Sequence, residues 1–225
     1  MHVLSFVLPD GQELRAPINS LVIAGWAGRN LAAVEHHIEE LAVLGVPRPS
    51  TVPLYYRVAA DQLTTSSEVE VLGPESSGEA EIMILSFEGE LFVGLGSDHT
   101  DRKVETYSVA VSKQLCTKPV ARALWRFEEV EKHWDELQLR SWITVSNERV
   151  LYQEGSVASL LNPRELIRRH TENAALASGT AMFCGTLAAI GGIRSSDRFE
   201  MELNDPVLKR TIRHAYDAQV LPMVA

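Results

Sequence analysis

The chain opens with a hairpin pattern. "HVLSFVLPDGQELRAP" alternates apolar and polar residues on both sides of "PDG", turn chemistry that joins two antiparallel strands. "NSLVIAGWAG" reads as a buried strand running into a glycine turn. "NLAAVEHHIEELAVLGV" changes to helical spacing: Asn30 can cap it, Leu31, Val34, Ile38 and Leu41 form one stripe, and Gly45 stops it. "PRPSTVPLYYRV" carries three prolines and is extended. "SSEVEVLGPESSGEAEIMILSFEGELFVGLGS" reads as strands separated by turns at "GPESSG" and "EGE".

Further along, "PVARALWRFEEVEKHWDEL" has helical spacing, with Leu124, Phe127, Val130 and Trp134 on one face. "LQLRSWITVSNERVLYQEGS" is a hairpin turning at "SNE", and "NPRELIRRHTEN" a helix with proline at an early position. "ALASGTAMFCGTLAAIGGI", broken by four glycines, reads as buried core. "SDRFEMELND" begins as an alternating strand. There is no internal repeat, low-complexity tract or linker. The pattern predicts an α+β fold, rich in strands with a few short helices. It predicts a single domain over 1–225, with an N-terminal β-hairpin over 1–20 and a core over 21–216.

Composition narrows the function. A net charge of −9 argues against nucleic-acid binding, which needs a basic stripe, but leaves a divalent cation open. Cys116 and Cys184 show no CxxC spacing and read as reduced thiols, so a cytoplasmic setting is expected. The N-terminus lacks the features of a signal peptide, and no apolar run reaches bilayer length, so no membrane partner is expected.

Several constellations carry possible chemistry. Glu68 and Glu70 lie in "EVEV", the polar face of a half-exposed strand. Glu79 and Glu81 instead lead into "IMIL", apolar on both faces. A carboxylate pair entering a buried strand needs a partner, and a divalent metal is one. "SDHTDR" follows the apolar strand "LFVGLG". It is either a capped turn, with Asp98 capping and Arg102 paired to Asp101, or the floor of a site. Lys113 and Lys118 in "SKQLCTKP" are either solvated lysines or ammonium groups that stabilise an enolate or carboxylate. Gly185 and Thr186 allow close backbone approach and offer a hydroxyl. On the early helix, His37 borders the apolar stripe and His36 lies nearly opposite.

The order of these motifs, rather than any one of them, resembles the C-terminal catalytic domain of the fumarylacetoacetate hydrolase family, over about residues 20–216. Within that family the chain is identified as a member of the divergent bacterial DUF2848 branch. The resemblance implies a β-rich mixed-sheet roll. It implies a metal site made by the ExE pair Glu79 and Glu81 with Asp98 of the later NDxSxRDxQ-like motif. Arg102 matches the motif's arginine, and Glu105 stands where the family has glutamine. Ser97 stands where it has asparagine. Lys113 falls at the family's substrate-contacting lysine, and Gly185 and Thr186 at its Gly-Thr. The family's "GxNYxxH" loop is poorly matched by "GWAGRNLAAVEHH".

On this resemblance, Glu79, Glu81 and Asp98 hold Mg²⁺, or alternatively Mn²⁺ or Ca²⁺, the cations suited to hard oxygen donors. Lys113 adds charge where an enolate develops. His37, oriented by Glu200 or Glu202, is the expected base. Arg102, Glu105, Gly185 and Thr186 are expected at the substrate. The implied reaction is hydrolysis of a C–C bond in a small acylpyruvate or β-diketo acid through a metal-bound enolate. The same platform serves an oxaloacetate-type decarboxylase, a hydratase or an isomerase, and a binding protein that retains only the pocket is an alternative of another class. The expected partners are a small carboxylic acid and a second copy of the chain in a homodimer, with the apolar "AQVLPMVA" available for packing.

Overall fold

The run Ile82–Leu85 is apolar at every position because it lies between two cores. Ile82 and Ile84 join Val22 and Ala24 in packing against Leu139, Phe199, Met201 and Leu203. Met83 and Leu85 point the other way, with Leu21 and Ile23, onto Phe6, Leu14 and Ile18 of the N-terminal hairpin. Side chains alternate across a strand, so a strand covered on both sides loses the polar positions that would mark its period. The computed structural model describes residues 2–43 and 45–224, without the side chains of His37 and Leu41.

The central sheet has six strands in the order Trp125–Arg126, Glu90–Ser97, Ala80–Phe87, Thr180–Thr186, Ser20–Gly25 and Leu54–Val58. A five-stranded sheet covers one face, in the order Glu148–Ser156, Gln138–Val145, Arg198–Asp205, Arg210–Leu221 and Glu68–Leu72. The hairpin His2–Val7 and Glu13–Ile18 covers the other face. Thr180–Thr186 runs parallel to Ser20–Gly25, and Arg210–Leu221 parallel to Glu68–Leu72, while the other pairings in these two sheets are antiparallel. This is the strand-rich mixed α+β arrangement that the pattern predicts.

The expected hairpins form. The turn between Gln138–Val145 and Glu148–Ser156 places Ser146 and Asn147 at φ of 51° and 64°. The helix Pro163–His170 has Asn162 as its cap, accepting from the Arg164 N–H at 2.9 Å, and proline in its first turn. The helix Leu31–Val43 is capped by Asn30, which accepts from Ala32 and Ala33.

Three expectations need correction. The stripe of the Leu31–Val43 helix is narrower than its spacing, because Leu31 is exposed and only Ile38 is fully buried among its described members; Leu41 lies outside the described side chains. In 124–134 the helical run starts three residues late. Trp125 and Arg126 pair with Val93 and Phe92 as an edge strand, and Leu124 turns into the hairpin-side core. Phe127–Val130 is one helical turn, continued by the tighter Glu131–Glu136, and Phe127, Val130 and Trp134 enter the other core. Strand pairing overrides the local period there. The buried segment ends at Thr186: Ile190 and Ile193 are exposed in the loop beyond. Cys116 and Cys184 are buried free thiols, and no helix among the described residues is long and apolar enough to cross a membrane.

Candidate metal centre

A two-residue turn sets the geometry. Glu88 and Gly89, at φ of 51° and 83°, join Ala80–Phe87 to Glu90–Ser97 and fix the pairing of Ala80 with Ser97. One step beyond, Asp98 stands opposite Glu79, and its N–H donates to the Glu79 carbonyl at 3.0 Å. Glu81, two residues after Glu79, shares its face. One carboxylate oxygen from each of Glu79, Glu81 and Asp98 lies within 4.8 Å of the other two. Glu81 is 3% exposed and Asp98 0%. The opening of "SDHTDR" thus brings Asp98 to the carboxylates of Glu79 and Glu81. It is also a capped turn, with Asp101 as the cap: its carboxylate accepts from the Val104 N–H at 2.9 Å.

Cations surround the triad. Arg102 donates from Nε to Ser77 Oγ at 2.7 Å and from Nη1 to Glu105 Oε2 at 3.0 Å, and its Nη2 lies 3.2 Å from Glu79 Oε1. Arg102 therefore pairs with Glu79 and Glu105, and Asp101 is occupied as a cap. Lys113 donates to Asp98 Oδ2 and lies 4.0 Å from Glu79 Oε2. Lys118 lies 3.2 Å from Asp98 Oδ1 and donates to the carbonyls of His99 and, at 2.6 Å, Lys113. Both lysines are buried, which overturns the reading of solvated surface groups.

Burial dominates the electrostatics. It raises the Glu81 carboxyl well above its ordinary value, and the neighbouring Asp98 raises it further. Burial also pushes Asp98 up, but the Lys113 and Lys118 ammoniums outweigh it, and the net shift is downward. Burial pulls Lys113 down, and Asp98 and then Glu79 more than restore it.

Gly185 and Thr186 are committed to holding the triad in place. Gly185, at φ of 95°, makes an irregular step in the pairing with Ala80–Phe87 and turns its N–H onto Glu81 Oε2 at 2.7 Å. The Thr186 hydroxyl donates to the Ala80 carbonyl at 2.8 Å and accepts from Gln153 Nε2 at 2.7 Å. Gln153 Oε1 in turn accepts from the Ala80 N–H at 3.0 Å. Glu200 is not brought to the triad. It lies on the strand face opposite Phe199 and Met201, 3.0 Å from Arg149 Nε. Glu202 is likewise paired, at 2.8 Å from Arg213 Nε. The expected base His37 lies in the Leu31–Val43 helix, and its side chain is outside the described residues.

Sequence reasoning left Lys118 between two readings and missed two further contributors, His99 and Tyr56. The place of Lys118 at the head of the buried stretch "KPVA" is the signal that separates it from a surface lysine. His99 is 1% exposed and bonded through both ring nitrogens. Tyr56, from the strand Leu54–Val58, has its ring centroid 5.8 Å from Lys113 Nζ and its hydroxyl bonded by Trp26 Nε1 at 3.3 Å. No local pattern marks their roles, because distant segments bring Tyr56 to Lys113 and bring Tyr216 and Ser76 to His99.

A family model described as "Protein of unknown function (DUF2848)" matches residues 24–216. The chain belongs to the DUF2848 family. No curated protein matches the sequence. Among solved structures, a yeast fumarylacetoacetate hydrolase family protein, ynq8, is similar at TM-score 0.64 and 16% identity, covering 92% of this chain and 95% of its own. A 2-keto-3-deoxy-D-arabinonate dehydratase complexed with magnesium and 2,5-dioxopentanoate is similar at TM-score 0.63 and 12% identity, covering 99% and 96%. A 4-oxalocrotonate decarboxylase from Pseudomonas putida G7, complexed with calcium and acetate, is similar at TM-score 0.54 and 15% identity, covering 90% and 79%. At these identities the likeness shows the fold, and the fold of this DUF2848 chain is of the fumarylacetoacetate hydrolase type.

The residues of the DUF2848 site fit a divalent cation. Three carboxylates converge, two of them buried, and the burial that raises Glu81 is a cost that bound positive charge relieves. Asp98 Oδ1 is buried and makes no hydrogen bond, despite its ion pair with Lys118. All donors are hard oxygens, so Glu79, Glu81 and Asp98 can hold Mg²⁺, Mn²⁺ or Ca²⁺.

Proposed function

We propose that this DUF2848 protein is a divalent-metal-dependent enzyme acting on a small 2-oxo carboxylic acid. The observation that carries the reading is the convergence of Glu79 with the buried Glu81 and Asp98, with one oxygen of each within 4.8 Å of the others and cationic side chains packed around them. A bound divalent cation supplies a Lewis acid for a substrate carbonyl. Lys113 and Lys118 hold two ammonium groups beside the triad, placed to favour negative charge developing on a substrate oxygen. Arg102 braces Glu79 and Glu105 in one arrangement. Gly185 orients Glu81 through its N–H, and Thr186 locks the strand that carries it. The magnesium and 2,5-dioxopentanoate on one structural neighbour, and the calcium and acetate on another, support the same class of cofactor and ligand.

The reaction assigned first is hydrolysis of a C–C bond in an acylpyruvate or β-diketo acid, with His37 as the base that activates water. One observation favours a second reading, decarboxylation of an oxaloacetate-type acid. His99 adjoins the metal loop with both ring nitrogens occupied, by Tyr216 and Ser76, and Glu200 is held by Arg149 away from the triad. Neither activates water, and decarboxylation does not require it. The unpaired buried thiols support a reducing cytoplasm, and the exposed Val220, Met223 and Val224 support packing on a second copy.

The test is turnover of acetylpyruvate and of oxaloacetate by the protein with Mg²⁺ or Mn²⁺, and again after EDTA. Metal-dependent loss of either acid supports the reading, and the choice of acid separates hydrolase from decarboxylase. Saturable binding of both acids without turnover assigns a binding protein instead. Neither binding nor turnover overturns the reading.

A further inference from the structure

His99 follows the metal-loop residue Asp98 directly and is buried, yet the proposed chemistry gives it nothing to do. Its Nε2 lies 2.8 Å from Ser76 Oγ and its Nδ1 lies 2.7 Å from the Tyr216 hydroxyl. That hydroxyl lies 2.9 Å from Ser97 Oγ, which accepts from the Glu79 N–H at 3.2 Å. The result is a continuous chain of hydrogen bonds from Ser76 through His99, Tyr216 and Ser97 to the backbone of Glu79. It passes both sides of Asp98 and ends on the first residue of the ExE pair.

The chain can run in either direction. The Ser76 hydroxyl donates to His99 Nε2, His99 Nδ1–H to Tyr216 and Tyr216 to Ser97, or each of these bonds reverses. One proton serves each link either way, so the neutral imidazole is satisfied on both sides. Burial, then Lys118 and Arg102, hold His99 in that neutral form, with its pKa lowered to about 3.

Two features show that this wiring is built. Tyr216 is 0% exposed and reaches the loop from Arg210–Leu221, a strand of the other sheet. It reaches there because Gly78, the residue before Glu79, has no side chain: a Cβ at Gly78 would stand 2.7 Å from the Tyr216 hydroxyl and from the Phe199 ring. Packing alone would be met by phenylalanine at 216 and an apolar residue at 99, without the desolvation cost of an imidazole and three hydroxyls.

We infer that His99 and Tyr216 are positioning residues that fix the spacing of Glu79 and Asp98 for a divalent cation. The inference rests on the proposed metal reading of the triad. Groups behind the ligands commonly change metal affinity by 10- to 100-fold, because they set where the ligand oxygens stand.

The experiment is calorimetric Mn²⁺ titration, with urea unfolding of the same samples, for the wild type, Tyr216→Phe, His99→Leu, the double variant and His99→Gln. The single variants are expected to bind Mn²⁺ about 10-fold more weakly or worse. The double variant removes both partners of one bond and is expected to recover much of its stability, while its Mn²⁺ affinity stays low. His99→Gln keeps a donor and an acceptor and is expected to recover most of the affinity. Wild-type affinity in both single variants overturns the inference alone, as does a double variant that regains affinity together with stability. A wild type that binds no Mn²⁺ overturns the metal reading and this inference with it.

Discussion

Lys118 Nζ lies 3.2 Å from Asp98 Oδ1, and both side chains are completely buried. Lys113 holds the other oxygen of the same carboxylate. A buried charge that loses a partner keeps its desolvation cost, about 3–5 kcal/mol for a broken pair. Lys118→Met is therefore expected to destabilise the metal-free protein by about 3 kcal/mol, the low end because Lys113 remains. Urea unfolding with EDTA checks this, and an unchanged midpoint contradicts it.

Gly185→Ala tests the irregular step in the Thr180–Thr186 strand. At φ of 95° an L side chain is strained, and the new Cβ would stand 2.8 Å from Ala27 Cβ. The expected cost is about 2–3 kcal/mol from strain of this kind. Because the Gly185 N–H orients Glu81, Mn²⁺ affinity is expected to fall as well. A loss of stability with unchanged Mn²⁺ affinity would detach Gly185 from the site.

Most of the layout was legible in the chain. The apolar "IMIL" after Glu79 and Glu81 marked a strand covered on both faces, and the tight "EGE" turn set Asp98 across from the pair. Illegible was whatever depended on distant strands. The sequence around Glu200 alternates as cleanly as a site strand would, but which face meets the triad is decided by sheet packing, and Glu200 falls on the other side. Gly185 and Thr186 were expected at the substrate, whereas their N–H and hydroxyl bond Glu81 and the Ala80 carbonyl, because an N–H and a hydroxyl can serve a strand as easily as a ligand. Tyr216 contributes from 118 residues beyond Asp98, a distance no local motif reports.

Arg102→Lys is a further test, because a lysine cannot reproduce the fork that meets Ser77, Glu105 and Glu79 together. It is expected to weaken Mn²⁺ binding by about 10-fold, the range typical of a lost group behind a ligand, with the far-ultraviolet circular dichroism unchanged. Equal affinity would mean that Glu79 is positioned without Arg102.

A pH test uses a group outside the site. Asp205 closes the turn before Arg210–Leu221, accepting from Val207 and Leu208 N–H groups at 3.1 and 3.0 Å. Burial raises its carboxyl, but the Leu208 N–H and His133 lower it more, and the net shift is below 3.8. A depressed carboxyl contributes stability that is fully present above its unfolded value and is lost as the pH falls through its folded value. Asp205→Asn is expected to cost about 1–3 kcal/mol near neutral pH, as for a buried charged hydrogen-bonding group. Its stability is then expected to converge on the wild type below pH 3.8. Stability curves against pH for the two proteins check this, and a difference that persists undiminished into acid contradicts it.

The most direct measurement is a calorimetric Mn²⁺ titration of the wild type and of Asp98→Asn, with circular dichroism of both. The account predicts saturable binding by the wild type and its loss in Asp98→Asn while the fold stays intact. No binding by the wild type, or equal binding by both proteins, would contradict the metal centre.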